Sequence, residues 1–448
     1  MASAAEQLAS NLNWGAIGKA TELKQRLWFT LGALVVFRIG AYIPVPGVDP
    51  TALAEIFQQN AGGIAGLLDV FSGGSIGRMS ILALSIMPYI SASIIMQILT
   101  TVVPSLEQLK KEGEAGRKKI NQYTRYGTVV LAAFQAWGIA VGLEGQVASA
   151  GPVVPDPGLF FRFVAVITLV GGTLFLMWLG EQITARGVGN GISLIIFAGI
   201  VAALPDALVQ TLELGRTGAL SALFIIALLI GVVVVVAVVV FVETAQRRIV
   251  VQYPKRQVGN RMYGGEASHL PLKVNTAGVI PPIFASSLLL FPATIASFQG
   301  NTAEAGWMQF IAGYLSHGQP LYLLLYVGLI VFFCFFYTTV VFNPVDTADN
   351  LKKNGGFVPG IRPGKNTAEY LEYILTRLTA LGAIYLSLVC ILPELLISRG
   401  GVPFYFGGTS LLIVVSVTLD TVTQVQSHLL AHQYEGLIKK ARLRGKRR

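Results

Sequence analysis

The sequence predicts an all-α polytopic membrane protein, with ten transmembrane helices in two inverted pseudo-symmetric halves of five and one short extra half-helix. Three observations predict it. Only 12% of the 448 residues are charged, against roughly 25% in soluble domains. Apolar runs of about the 20 residues that a bilayer core requires recur along the whole chain. The basic residues between those runs collect on alternate sides.

The runs fall at 27–44, 79–103, 124–143, 159–179, 190–208, 218–242, 274–297, 320–342, 374–397 and 404–425. The first is followed by "YIPVPGVDP" and not by a small-residue cleavage site, so it reads as a retained span. The fifth, centred on "ISLIIFAGIVAAL", is short and Gly-flanked. This divides the chain into a cytoplasmic tail (1–26), a first half (27–208), a second half (218–425) and a basic cytoplasmic tail (426–448).

Orientation follows from the Lys/Arg distribution. With both termini on one side, that side's tails and loops hold 3, 6, 1, 6, 4 and 7 basic residues, counting Arg125 at the edge of the third run with its loop, 27 of the 33 in the chain. Apart from Arg78 at the edge of the second run, the opposite loops hold only Arg216 and Arg399, which puts the termini in the cytoplasm. The same bias accounts for most of the net charge of +10, so nucleic acid is not implied by charge.

Two cytoplasmic connections, 243–273 and 343–370, are longer than topology needs and show no obvious helix. "RRIVVQY" alternates like a strand and sets apolar Ile249, Val250 and Val251 beside Arg247 and Arg248. The segment is either a solvated linker or a strand-like finger with a docking surface, and the alternation favours the finger.

The second and seventh runs echo one another. "IMPYISASIIMQIL" (86–99) aligned with "IPPIFASSLLLFPA" (280–293) pairs Ile86 with Ile280, Pro88 with Pro282 and Ser93 with Ser287. Proline-interrupted segments at matching places in inverted halves point to the functional centre of a membrane protein. Both runs are also polar, with Ser91, Ser93 and Gln97 in one and Asn275, Thr276, Ser286 and Ser287 in the other. Such groups are costly in lipid, so they face each other or a wet path. Ordinary helix packing or an openable seam both fit.

No enzyme signature survives inspection. "GIRPGKNT" (360–367) has three residues between its glycines where a phosphate loop has four, and Asn366 where that loop needs Ser or Thr. His428 and His432 are spaced for a metal but lack a third ligand nearby, and Cys334 and Cys390 read as small buried apolar groups. No cofactor is expected. Glu394, Asp420, Glu181 and Glu243 all lie towards run ends. That argues against an ion-coupled solute transporter, the alternative for a 5+5 inverted repeat, and for an aliphatic constriction that closes by dewetting.

"GGIAGLLDVFSGG" (62–74) is too short to span: its core of about ten residues rises about 15 Å as a helix. By pattern alone it is an interfacial helix or a segment folded into a protein funnel, with glycine pairs as hinges and Asp69 facing external water.

Longer motifs carry a resemblance. "FRIGAYIPVPG", "DVFSGG", "IMPYISASII", "KKEGEAGRKKINQYTRYGT", "FLMWLGEQITARGVGNGIS", "QRRIVVQY", "HLPLKVNTAGVIPPIFASS", "NPVDTADNLKK", "FVPGIRPG" and "PFYFGGTSLLIVV" together resemble the bacterial SecY family of protein-translocation channels over roughly residues 20–445. The resemblance implies an hourglass pore in the plasma (inner) membrane. Its waist would be a ring of Ile86, Ile90, Ile192, Ile196, Ile283 and Ile413. The plug sealing it would be the 62–74 segment, with Ile64, Leu67, Leu68, Asp69, Val70 and Phe71. The lateral gate would be the seam between the second and seventh spans, at Ser91, Ser93, Gln97, Asn275, Thr276, Ser286 and Ser287. Through it, transmembrane segments would pass into membrane lipids while signal-bearing nascent chains cross the pore.

The long loops would dock the SecA motor ATPase and the RNA phosphates of the ribosome through Arg247, Arg248, Lys255, Arg256, Arg261 and Arg362. SecE and SecG would be the small membrane partners. Two departures stand out. Asn260 occupies a place where many relatives carry a basic residue, and the external loop 144–158 has no role that the resemblance supplies.

Overall fold

The computed structural model describes residues 20–59, 69, 72–148, 151–217, 221–254, 256–258, 261–263, 267–298, 319–400 and 408–445. Each of the ten predicted runs matches a helix. In the first half these are α1 (Thr21–Gly40), α3 (Met87–Val102), α5 (Glu114–Glu144), α6 (Leu159–Arg186) and α7 (Gly191–Arg216). In the second they are α8 (Ala222–Thr244), α9 (Ile280–Phe298), α10 (Pro320–Val341), α12 (Lys365–Gly400) and α13 (Gly408–Gly445). Among the described residues, seven helices are long and apolar enough to cross a membrane, or eight if the bent pair Met87–Val102 and Pro104–Lys111 counts as one span.

Several ends differ from expectation. The second span does not begin at 79. Residues 79–86 form turns in which Met79 and Ser85 take positive φ (44° and 52°), and the helix starts at Met87 with Pro88 in its first turn. Proline there loses no helical hydrogen bond, because the first N–H groups have no intrahelical acceptor. Pro281 and Pro282 likewise stand in the first turn of α9. Pro88 and Pro282, paired in the internal echo, therefore stand in the first turns of two helices instead of interrupting them. The predicted C-terminal tail from 426 continues α13 as helix to Gly445.

Three shorter helices join the set: α2 (Pro50–Gln59), α4 (Pro104–Lys111) and α11 (Pro344–Lys353). The last corrects the reading of 343–370 as lacking helix. Asn343 caps it, its Oδ1 accepting from Val345 N at 3.0 Å, with Pro344 in the first turn and Lys352 and Lys353 in the last.

The 243–273 connection is a finger, as the alternation implies. Strands β3 (Gln246–Gln252) and β6 (Ala267–Lys273) pair antiparallel, and between them β4 (Arg256–Val258) pairs with β5 (Arg261–Tyr263). Alternation sends Ile249 and Val251 inward, Ile249 onto Leu272, Val358 and Leu371, and leaves Val250 exposed, so the apolar triplet is not one continuous docking patch. The two long loops meet where Gln252 and Phe357 exchange backbone hydrogen bonds of 2.9 and 3.0 Å.

The 144–158 loop after α5 gains a structural place. Its short strands at Val147–Ala148 and Gly151–Pro152 pair, Val153 and Val154 are buried, and Val153 O accepts from Asp49 N at 2.9 Å. Arg162 closes the loop with a 2.6 Å ion pair to Glu144. The loop thus packs against the segment leading into α2.

One large apolar core runs through both halves. It joins Phe37, Ile86 and Ile195 of the first half to Ala285, Ile330, Leu386 and Leu412 of the second. Across the halves α3 and α5 pack on α9, while α7 packs on α13.

Candidate functional site

At the centre of that core lies a cavity of about 10 Å³ lined by Ser85, Ile86, Met87, Ile90, Ile196, Ile283, Ser286, Ser287 and Ile413. It holds roughly one water molecule. Four helix ends from two halves meet there: the start of α3, α7, α9 and α13. Ile86 and Ile413 are each only 1% exposed, so no open water column passes between them.

Five of the six predicted ring isoleucines line this space. Ile192 does not. It stands in the first turn of α7 and packs on Gly180 of α6, where a Cβ would meet its Cγ1 at 3.1 Å. One turn further along, Ile196 reaches the cavity instead. Ser85 and Met87 line it too, and the sequence carried no signal for either.

The seam residues are less mutual than expected. Ser286 and Ser287 each donate to Ile283 O, at 3.0 and 2.7 Å, within α9. Gln97 Nε2 donates to Ser93 Oγ at 3.4 Å within α3. Helical serine bonds its own preceding turn readily, which removes the need for a partner across the seam. Asn275 turns away, donating to Glu243 Oε1 at 2.7 Å and Gly278 O at 3.0 Å. Ser91 is half-buried, and Gln97 Oε1 and Thr276 Oγ1 are buried without a partner. Among the described residues the one hydrogen bond between α3 and α9 is weak, from Ser287 Oγ to Met87 Sδ at 4.0 Å. The α3–α9 face is therefore held by packing with almost no polar lock.

Of the predicted plug residues, Ile64, Leu67, Leu68, Val70 and Phe71 lie outside the described residues, as does the Gly62–Gly63 pair. The segment's C-terminal end is anchored. Gly73 and Gly74 take φ of 69° and 82°, a region closed to most residues. Arg38 of α1 donates to Gly73 O at 2.8 Å. A Cβ on Gly73 would lie 2.9 Å from the Gly199 Cα of α7, backbone that cannot yield. Gly73→Ala is therefore expected to weaken this seat by about 1–3 kcal/mol. The measurement is the ion leak of the resting protein in a planar bilayer, which should rise.

Asp69 does not simply face external water. Its Oδ1 accepts from Gly77 N at 2.8 Å and from Ser72 Oγ at 3.4 Å. Burial raises its carboxyl above the ordinary 3.8, opposed by the Gly77 and Ile76 N–H groups, Arg78 and Ser72. A raised acid value means that the seated state binds the proton more tightly than a hydrated, unseated one. Seating is then strongest at low pH and weakens as pH rises from 3.8 through the raised value. External acidification should reduce leak across that window, and Asp69→Asn should make leak independent of pH there.

Of the predicted docking residues, Arg247, Arg248 and Arg362 are exposed. Arg256 and Arg261 lie on the paired strands β4 and β5, and Lys255 lies outside the described residues.

Comparison with known proteins places this geometry. The SecY family model matches residues 80–422. The protein translocase subunit SecY of Escherichia coli (strain K12) is 58% identical over 432 residues, covering 96% of this chain and 97% of that one. Among solved structures, one described as a protein conducting channel superposes with TM-score 0.63 at 18% identity, covering 91% and 92% of the two chains. Sec61 in the canine ribosome-channel complex gives TM-score 0.59 at 18% identity over the same shares.

Family and fold define a multi-pass membrane protein of the protein-conducting channel class. The chain belongs to the SecY family. None of these matches favours a small-solute transporter.

Proposed function

We propose that the isoleucine-lined waist is the pore constriction of this channel and that the α3–α9 face is its lateral gate. The observation that carries the reading is the small cavity where isoleucines from both halves converge, beside a seam with one weak hydrogen bond. An extended polypeptide passes down the waist once the halves part. An apolar signal helix or span leaves sideways, each apolar side chain gaining tenths of a kcal/mol in lipid and each charged one losing about 2.5–3.5 kcal/mol near the centre. The segment around 62–74 plugs the resting pore from outside, held by Arg38, Gly73 and Asp69.

The chain lies in a bacterial plasma membrane with both termini cytoplasmic, a reading supported by the Lys/Arg bias. SecE and SecG accompany it. Work comes from SecA or from the elongating ribosome, both docking on the finger and on the loop bearing Arg362. The joined loops and their exposed arginines support that surface. Replacing Arg247, Arg248 and Arg362 by alanine tests it. Ribosome binding, read by co-sedimentation with proteoliposomes, should weaken and its dependence on salt should flatten by about one phosphate contact per arginine in contact. Unchanged affinity and salt slope would remove these residues from the docking surface.

A further inference from the structure

Ser85 stands in a backbone shape that suits glycine, with φ of 52°. The turn around it cannot relax that shape away. Ser85 N donates to Leu82 O at 2.8 Å, and Ile81 N donates to Ile43 O at 2.9 Å. Behind the turn, a Cβ on Gly172 of α6 would collide with Ile81 O, and one on Gly40 of α1 would lie 2.7 Å from Leu82 Cδ1. Glycine would meet this backbone demand without strain, so what serine adds at this position is its side chain. That side chain lines the waist cavity. Ser85 is 6% exposed, and among the described residues its hydroxyl has no hydrogen-bond partner.

The rest of the lining complements it. Ser286 and Ser287 are buried on α9 and border the same cavity, and each already donates its proton to Ile283 O. A hydroxyl has one donor and two acceptor sites, so towards the cavity these two can only accept. Ser85 still has a proton to give. The space takes one water molecule, and a buried water needs about two to four polar partners. One water that accepts from Ser85 and donates to Ser286 and Ser287 satisfies all three hydroxyls.

We infer that Ser85, Ser286 and Ser287 form a water site inside the isoleucine ring, and that this water makes the closed waist easier to wet. The site draws on both halves, with Ser85 just before α3 and the other two serines on α9. An aliphatic neck stays dry because a water entering it forfeits its hydrogen bonds. Here the first water keeps three. Its remaining lone pair accepts from a second molecule as the neck widens, so wetting starts from a seed and not from a dry ring. Ser85 is a positioning residue for that seed, and it sets how readily a signal sequence opens the pore. This inference rests on the reading of the cavity as the pore constriction.

The test uses planar bilayers holding the full chain with SecE and SecG. A synthetic signal peptide is titrated, and the concentration that gives half-maximal conductance is read. Ser85→Ala keeps the strained backbone and lacks the hydroxyl, whereas Ser85→Gly lacks both strain and hydroxyl. Both should raise that concentration by the same several-fold factor, because the lost hydroxyl is what they share. Should Ser85→Ala not fold, Ser85→Gly, which suits the observed φ, carries the same comparison. Ser286→Ala with Ser287→Ala should raise it as well, and a Ser85 variant added to that pair should change little further, since one water is shared.

Three results would overturn the water site: no shift in either Ser85 variant, a shift in Ser85→Gly with none in folded Ser85→Ala, or full addition with the α9 pair. Ile413→Asn is measured beside them. If it opens the pore at lower peptide concentration while the serine variants do nothing, the constriction stands and the water site falls. If Ile413→Asn also does nothing, the constriction reading fails and takes the water site with it.

Discussion

Joining Ser91→Cys to Ser286→Cys is expected to abolish translocation of a signal-bearing preprotein while leaving the protein folded and inserted. The two serines lie on α3 and α9, the helices that meet at the central cavity from opposite halves. In the resting protein little polar bonding holds them together. Ser286 bonds its own helix, and among the described residues the sole hydrogen bond across the face is the 4.0 Å contact to a thioether. The closed state therefore relies on apolar packing, which a signal helix can replace with packing of its own. A covalent link removes that option without altering the ring isoleucines, the plug seat or the docking loops. Reduction of a reversible link should restore transport in the same vesicles. Transport at full rate with the link formed would mean that the chain passes without parting this face.

The second large effect is at the ring. Ile413→Asn is expected to make the resting channel leak ions and to relax its demand for a signal sequence. Ile413 is 1% exposed and lines the waist with Ile86, Ile90, Ile196 and Ile283. A buried amide without partners costs about 1–3 kcal/mol, and the cheapest relief is to let water in. Weakening a dewetted barrier by that amount raises leak by about 5–150-fold. Ile413→Val keeps the surface apolar and should stay closed, at a packing cost of about 0.5–1.5 kcal/mol. Single-channel recording on planar bilayers separates the two. A dry, silent Ile413→Asn channel would show that the seal lies elsewhere.

Much of the fold was legible because ten apolar runs and a one-sided charge bias are periodic or bulk properties, which no distant contact can disguise. Ends were less legible. Pro88 read as a break inside a span, yet it stands in a first turn, because the eight residues before it are pinned as turns by distant partners. Val45 N to Met79 O and Ile81 N to Ile43 O are two of those pins, and no local pattern announces them. The helix at Pro344–Lys353 was legible in principle, since Asn343, Pro344, Asp346 and Lys352 spell its start and end.

The site divides in the same way. Isoleucine is too common in a membrane protein for composition to single out a ring, so only the family motifs pointed to it. Those motifs did not separate Ile192 from Ile196, which one helical turn keeps apart. The polarity of the seam was legible, but its bonding was not. Ser287 could face across or backwards, and the near carbonyl of Ile283 wins.

The central claim is that this chain is a conduit for polypeptides worked by partners. It is tested most directly by reconstituting it with SecE and SecG in proteoliposomes and adding SecA, ATP and a signal-bearing preprotein. Protease-protected preprotein should accumulate inside only when SecA and ATP are both present. Accumulation of a small solute on an ion gradient, with no protected preprotein under any condition, would contradict the account.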